Sequence, residues 1–186
     1  MKKIFAPFLK IFKYRLILKN TTVSEIQKKY AGSMLGMVWA FLYPLLFLAV
    51  YAMVYAFVFK VNYNDLSTSE YIAVIFCGLI PFLGFSESVS TGVPCVTSNA
   101  SLIKNTMFPI ELVPVRTVFA AQMTHICGTV ILIITVIAIG RFSLFALLSI
   151  VVWVLQIMFE IGLVWVLSSI NVMVRDLQNE IGRAHV

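Results

Sequence analysis

The sequence is poor in charged residues. Only 12% of its 186 residues are Asp, Glu, Lys or Arg, whereas 61% are hydrophobic; in soluble domains about a quarter of the residues are charged. A soluble domain of this size still presents much of its surface to water, so long apolar runs could not all be hidden in its core. The composition therefore argues against a soluble protein and predicts that lipid surrounds the chain.

Cysteines and catalytic motifs are also scarce. Cys77, Cys95 and Cys127 lie in or near apolar segments without CxxC spacing, which indicates small core residues rather than disulfides or a zinc site. The sequence contains no GxxxxGK[ST], HExxH or GxSxG motif, so phosphate-loop ATPases, zinc proteases and serine hydrolases are excluded. We predict no catalytic residue, no metal and no cofactor, and we expect a separate protein to hydrolyse any ATP that is used.

Basic residues are present, but they cluster near the N-terminus. The formal net charge is +6, and eight of the 14 Lys and Arg residues precede position 30. The stretch IFAPFLKIFKYRLILKN interleaves apolar and basic residues, a pattern typical of a helix in the membrane interface. We predict contact with membrane lipids, a cytoplasmic N-terminus, no cleaved signal peptide and no nucleic-acid partner.

Four apolar runs predict the fold. They cover residues 34–59, 71–96, 117–140 and 144–174. The first could form a helix of about 39 Å, longer than the roughly 30 Å hydrocarbon layer. The second contains Pro81, Glu87 and Pro94, so we expect a span with a break inside a bundle. The fold class predicted is an all-α, polytopic membrane helix bundle with four spans.

The connecting segments complete the predicted topology. A polar loop at 61–70 and the turn at Arg141 lie outside, if the N-terminus is cytoplasmic. The segment 99–116, NASLIKNTMFPIELVPVR, lies inside. It is amphipathic and contains Pro109 and Pro114, which favours a short helix along the membrane surface.

Three ionisable residues fall within the apolar runs. His125 is interpreted as a polar contact between helices, with a proton relay as the alternative. Glu87 is equally compatible with a position near a helix end and with an aqueous path. Glu160 lies near the middle of its run, so we predict that it faces the interior of the bundle and lines a substrate path.

Aromatic residues recur every four positions in the first run. The stripe consists of Trp39, Tyr43, Phe47, Tyr51, Tyr55 and Phe59. Residues four apart lie on one face of a helix, so the rings should form a slowly winding line. Tyr43, Phe47, Tyr51 and Tyr55 could stack on sugar rings and offer hydroxyl groups to a sliding glycan; packing against lipid and other helices is the alternative.

Four segments in order resemble permeases of the ABC-2 type that export capsule, O-antigen or teichoic-acid polymers. They are NTTVSEIQKKYAGSMLGMVWAFLYPLL, CGLIPFLGFSESVS, NASLIKNTMFPIELVPV and NVMVRDLQN. The resemblance implies six spans, of which four are present here. It also implies that the loop after the second span docks on a separate ATPase. Candidate contacts with this ATPase are Asn99, Lys104, Phe108, Pro109, Glu111, Arg175 and Asp176.

The resemblance implies a half-channel in the inner membrane. A second copy would complete a homodimer, two cytoplasmic ATP-binding-cassette ATPase subunits would supply energy, and a lipid-linked polysaccharide would pass between the permease subunits. Two other functions stay open. A proton-coupled secondary transporter could use Glu87, Glu160 and His125 as a relay, and a membrane scaffold would transport nothing.

The last residues look foreign to the rest of the chain. EIGRAHV can be translated back to a common sequencing-adapter stretch. We therefore expect residues 180–186 to be a non-native tail, and residues 1–179 to be the N-terminal part of a permease domain that continues.

Overall fold

The structure is a computed structural model that describes residues 11–55, 67–100, 103 and 109–174. Its helices are α1 (Arg15–Tyr30), α2 (Trp39–Met53), α3 (Thr68–Gly92), α4 (Cys95–Ser98), α5 (Leu112–Ala138) and α6 (Leu148–Met173), with 3-10 turns at Gly36–Val38 and Leu144–Leu147. No strand occurs within the described ranges. The predicted all-α fold is confirmed.

Within the described residues, four helical segments are long and apolar enough to cross a membrane. They are Gly36–Met53, Thr68–Gly92, Leu112–Ala138 and Leu148–Met173. Each matches one predicted span, and between 17% and 33% of each segment's most apolar window is buried inside the protein. Many of the other apolar side chains are exposed, as they are where lipid is the solvent. The chain is therefore a membrane-embedded helix bundle.

Helix α3 begins three residues before the predicted start because Ser67 and Glu70 cap it. The Ser67 backbone N–H donates to the Glu70 carboxylate at 2.8 Å, and the Glu70 N–H donates to the Ser67 hydroxyl at 3.4 Å. This reciprocal pairing satisfies two N–H groups that the first helical turn leaves without partners. The predicted loop at 61–70 is thus helical from Thr68; residues 61–66 lie outside the described ranges.

We predicted a break in the second span, and the structure shows the interruption at the end of helix α3. Helix α3 passes through Pro81 without interruption and ends at Gly92; Val93 and Pro94 form a turn before the four-residue α4. Proline cannot donate a backbone hydrogen bond, but packed neighbours allow it inside membrane helices. Ile80, beside Pro81, is 2% exposed.

The prediction that the third span starts at Thr117 is wrong. Helix α5 starts at Leu112, so residues 112–116 are its buried first turns rather than the end of a surface helix. Pro114 is tolerated there because the N–H groups of a first turn have no helical acceptor. Of the segment before α5, residues 101–102 and 104–108 lie outside the described ranges.

The described residues belong to two compact units. The first takes its residues from Met1–Lys29, Phe85–Ala121 and Gln156–Val186, and the second from Tyr30–Gly84 and Gln122–Leu155. The first unit has an apolar core formed by Leu18, Val115, Val118, Ile161 and Val164. The core of the second unit is formed by Leu48, Phe76 and Ile80.

A close approach of α3 and α6 in the first unit depends on Gly92. A Cβ atom at this position would lie 2.5 Å from Cγ1 of Val164, which is fully buried. We expect Gly92→Ala to destabilise the protein by about 1–3 kcal/mol, the usual cost of overpacking, measured by thermal unfolding in detergent. Val164→Ala should relieve the clash, so the double variant should be more stable than the sum of the two single effects implies. Additive effects would contradict this explanation.

Candidate functional site

The aromatic residues of α2 form a continuous line of rings. The ring centroids of Tyr43 and Phe47 are 6.2 Å apart, those of Phe47 and Tyr51 are 4.8 Å apart, and those of Tyr51 and Tyr55 are 6.4 Å apart. The planes of neighbouring rings differ by 26–36°. Tyr43 is 53% exposed. The structure thus brings together four of the five residues predicted to line a substrate path, all except Glu160, and we call this line the aromatic ladder.

Tyr71 extends the aromatic ladder onto α3. Its ring meets that of Tyr55 edge to face, with centroids 6.0 Å apart. The sequence analysis missed this residue because no spacing rule connects position 71 with the stripe on α2. Only the packing of the two helices in the second unit shows the contact.

Glu160 is fully buried in the first unit, and both carboxylate oxygens accept hydrogen bonds. Ser88 on α3 donates to Oε2 at 2.6 Å, and Gln156 donates to Oε1 at 2.7 Å. Buried carboxyl groups are costly without such partners. The side chain faces the interior of the unit, where the sequence placed it; its position on a substrate path stays a prediction.

The other two ionisable residues of the spans have identified neighbours. Glu87 forms an ion pair with Lys29 at the end of α1. His125 is 7% exposed and packs against the Trp153 ring, with centroids 5.6 Å apart. Trp153 in turn donates to Gln122 at 2.8 Å. These contacts are of the kind that hold membrane helices together.

Part of the predicted ATPase-contact segment is described. Asn99 accepts a hydrogen bond from Arg116 at 2.6 Å and donates to the Cys95 carbonyl at 2.8 Å. The Glu111 carbonyl accepts from Trp165 at 2.9 Å, and Pro109 is half-buried. Lys104, Phe108, Arg175 and Asp176 lie outside the described residues.

A cavity of about 460 Å³ lies beside this segment in the first unit. Its lining is mainly apolar and comes from the start of α5, the end of α6 and neighbouring residues: Val96, Ile110, Glu111, Pro114, Trp165, Ser168, Ser169 and Val172. The Trp165–Glu111 hydrogen bond joins two sides of this lining. The start of α5 and the end of α6 are therefore held together at the predicted ATPase-contact segment.

Arg116 is a residue that the sequence analysis did not select. Its side chain is 4% exposed and lies 3.3 Å from the carboxylate of Glu25 on α1, in addition to its bond with Asn99. A basic residue between an apolar segment and a span looks like an ordinary interface residue in the sequence. Its burial becomes visible only because α5 begins before it.

Two of the three cysteines predicted to be core residues are buried, but Cys77 is exposed, so the prediction is wrong for Cys77. Cys95 and Cys127 are 3% and 0% exposed. Burial raises the pKa of the Cys95 thiol to about 12, so the thiol stays protonated at neutral pH and is a poor nucleophile.

Among the described residues, no group of three or more His, Cys, Asp or Glu side chains could hold a metal ion.

Comparison with known proteins adds a further line of support. No family model matches the chain. Over 170 residues, 91% of its length, the chain is 28% identical to the O-antigen export system permease protein RfbA of Myxococcus xanthus, of which it covers 64%. The chain resembles O-antigen export permeases. Two permeases of the same name from Klebsiella pneumoniae are 28% and 29% identical over 164 residues, 87% of this chain and 61% of each permease.

These comparisons confirm the resemblance to polysaccharide-export permeases that four sequence segments indicated. The aligned 164–170 residues include most of the chain, so the similarity is not limited to one motif. The chain spans a little under two thirds of the length of these permeases, with 64% and 61% covered. A permease name describes transport and agrees with the absence of hydrolytic motifs from the sequence.

Proposed function

We propose that this chain is the membrane permease subunit, or part of it, of an ATP-binding-cassette exporter that moves a lipid-linked polysaccharide across the inner membrane. The observation that carries the proposal is the similarity to O-antigen export permeases over 87–91% of the chain. Four helices of membrane-crossing length support it. Since the sequence has no phosphate loop, a separate ATPase subunit supplies the energy.

The aromatic ladder is the proposed glycan path. Rings 4.8–6.4 Å apart present a nearly continuous apolar surface, and the tyrosine hydroxyls can exchange hydrogen bonds with sugar hydroxyls. Many similar, weak contacts let a polymer slide, whereas one tight site would hold it. In the proposed homodimer, a second copy supplies the other side of the path. Glu160, which was also predicted from the sequence to line the path, is buried in the first unit, and its part in the path stays a prediction.

Helix α1 is the proposed contact with the inner leaflet. Phe12, just before α1, and Leu16, in its first turn, are 77% and 71% exposed. Exposed basic residues lie beside them: Lys13, Arg15 and Lys19. Apolar side chains in lipid with basic groups at the head groups are typical of interfacial helices. Under the positive-inside rule these basic residues support a cytoplasmic N-terminus. In this proposal the lipid-linked polymer is presented, and the ATPase binds, on the same side.

The proposal is tested with the full-length protein encoded at its locus, purified together with the ATPase subunit encoded beside it. We expect a stable complex whose ATPase activity falls several-fold when Lys104 and Glu111 are both replaced by Ala. The Glu111 carbonyl that binds Trp165 belongs to the backbone, so the substitution leaves this bond in place. Loss of ATPase activity at an unchanged melting temperature would support a contact between this segment and the ATPase.

The matched control for this experiment is Arg141→Ala. Arg141 forms an ion pair with Glu70 at 2.6 Å, and its side chain is 71% exposed. It lies in the turn predicted on the opposite side of the membrane. We expect the control to keep wild-type ATPase activity. Absence of any complex with the ATPase would overturn the exporter function; an intact complex with unchanged activity in the double variant would overturn the assignment of the contact segment alone.

A further inference from the structure

Arg116 connects three segments of the first unit. It lies in the second turn of α5, binds Glu25 of α1 at 3.3 Å and donates to Asn99 at 2.6 Å. Asn99 follows α4 directly and begins the segment proposed to contact the ATPase. One buried guanidinium thus joins α1, α5 and the start of the contact segment.

The burial of Arg116 has an energetic consequence. Only 3% of this residue is exposed, and moving a charge out of water costs several kcal/mol unless partners replace the lost water. A buried ion pair therefore adds little net stability compared with apolar residues of similar size, but it fixes which segments meet. Planar guanidinium groups suit this role because they donate in several directions at once.

The surroundings make the connection between α1 and α5 stiff. Leu18 of α1 packs into the apolar core with Val115 and Val118, the residues on either side of Arg116 and Thr117. Asn99 is held from its other side by its bond to the Cys95 carbonyl. A displacement of Asn99 therefore acts on Arg116 directly, and α1 is held to the same turns of α5.

We propose that Arg116 is a positioning residue that transmits movement of the ATPase-contact segment to α1, so that the helix facing the inner leaflet moves when the ATPase closes. The inference rests on the proposed function, because it takes residues after Asn99 as the ATPase contact. It adds a specific route: Asn99 to Arg116 to Glu25. Nucleotide-driven closure would in this way be timed with the entry of the lipid-linked polymer beside α1.

Two variants interrupt the route at different ends. Glu25→Ala combined with Asn99→Asp removes the contact between Arg116 and α1, which we call the α1 arm. Arg116 keeps one carboxylate partner, because the carboxylate introduced at position 99 would stand where the 2.6 Å acceptor is now. Asn99→Ala removes the other arm and leaves Glu25 to balance the charge. In both variants Arg116 retains a carboxylate partner, so neither creates an uncompensated buried charge.

The measurement is polysaccharide export and ATP hydrolysis by the full-length permease and its ATPase in proteoliposomes, together with the melting temperature. For both variants we expect near wild-type melting and about a fivefold or larger fall in the polymer exported per ATP hydrolysed, the lower end of typical coupling between sites. Asn99→Asp alone keeps both acceptors of Arg116 but loses the bond to the Cys95 carbonyl. It is therefore the reference for the double variant, and its fall in export per ATP should be clearly smaller. If Arg116 had only a structural role, the variants would change the melting temperature without changing the amount of polymer exported per ATP.

Lys29→Gln is the matched control. It removes another ion pair of α1, that with Glu87, without touching Arg116, and it should leave export per ATP unchanged. Wild-type export per ATP in both arm variants would overturn the proposal, as would an equal loss in the Lys29→Gln control. If the wild-type protein itself neither binds the ATPase nor exports polymer, the proposed function fails, and this outcome is distinct from failure of the route.

Discussion

Replacing Tyr43, Tyr51 and Tyr55 together by Ala should reduce polysaccharide export by the full-length exporter about a hundredfold. The three rings belong to the aromatic ladder, where consecutive centroids are 4.8–6.4 Å apart. If each ring stabilises the moving glycan by about 1 kcal/mol, as in an aromatic pair, the sum of about 3 kcal/mol corresponds to roughly two powers of ten in rate. Export into the lumen of proteoliposomes or to the cell surface measures the effect.

Two control variants separate the ring surface from other causes. Replacing the same three tyrosines by Phe keeps the rings and removes only the hydroxyls, so export should fall much less. Replacing Leu45, Leu46 and Val50 by Ala also shortens three side chains of the same helix, which are 48%, 50% and 58% exposed. This second control should export normally. Normal export by the Tyr-to-Ala variant at equal protein level would disprove the glycan path.

Replacing Glu160 by Ala should destabilise the protein by about 3 kcal/mol. The substitution leaves a cavity at a site with no exposure and removes the acceptor of Ser88 and Gln156. Cavities from large-to-Ala changes cost about 2–5 kcal/mol, and a buried donor without an acceptor costs about 1–3 kcal/mol. Removing the carboxyl group also removes the cost of keeping it buried, which offsets part of this sum. We therefore expect a net destabilisation of about 3 kcal/mol. Thermal unfolding in detergent measures it.

Glu160→Gln is the control, and it also tests the secondary-transporter alternative. The amide keeps the size of the side chain and an oxygen that accepts from Ser88, so destabilisation should be about 1 kcal/mol. A glutamine cannot carry a proton through a relay. Full export by the Gln variant would exclude a relay through Glu160, whereas a folded Gln variant without any transport would favour it. An Ala variant as stable as wild type would contradict the structural role.

Much of the fold could be predicted from the sequence because lipid imposes simple rules. A span needs about 20 apolar residues, and each of the four apolar runs of the sequence overlaps one of the four helices of membrane-crossing length in the described residues. The spacing of four in the aromatic stripe likewise follows from the helical repeat, which brings Tyr43, Phe47, Tyr51 and Tyr55 to one face.

The boundaries were harder to predict because they depend on single capping and packing contacts. The Ser67–Glu70 pair starts α3 early, and the turn at Val93 and Pro94, rather than Pro81, ends it. Leu112 to Arg116 read as part of an amphipathic surface segment, although their side chains are buried at the start of α5. Hydropathy does not distinguish an apolar residue facing lipid from one facing protein.

The sequence by itself determined that this chain is a membrane helix bundle without hydrolytic motifs, since apolar length and helical period are local properties. Only the tertiary structure decided which polar groups meet: Glu160 with Ser88, Tyr55 with Tyr71, and Arg116 with Glu25 and Asn99. These partners are 16 to 91 positions apart in the chain. Their contacts arise from helix packing, which depends on the shapes of whole helix faces.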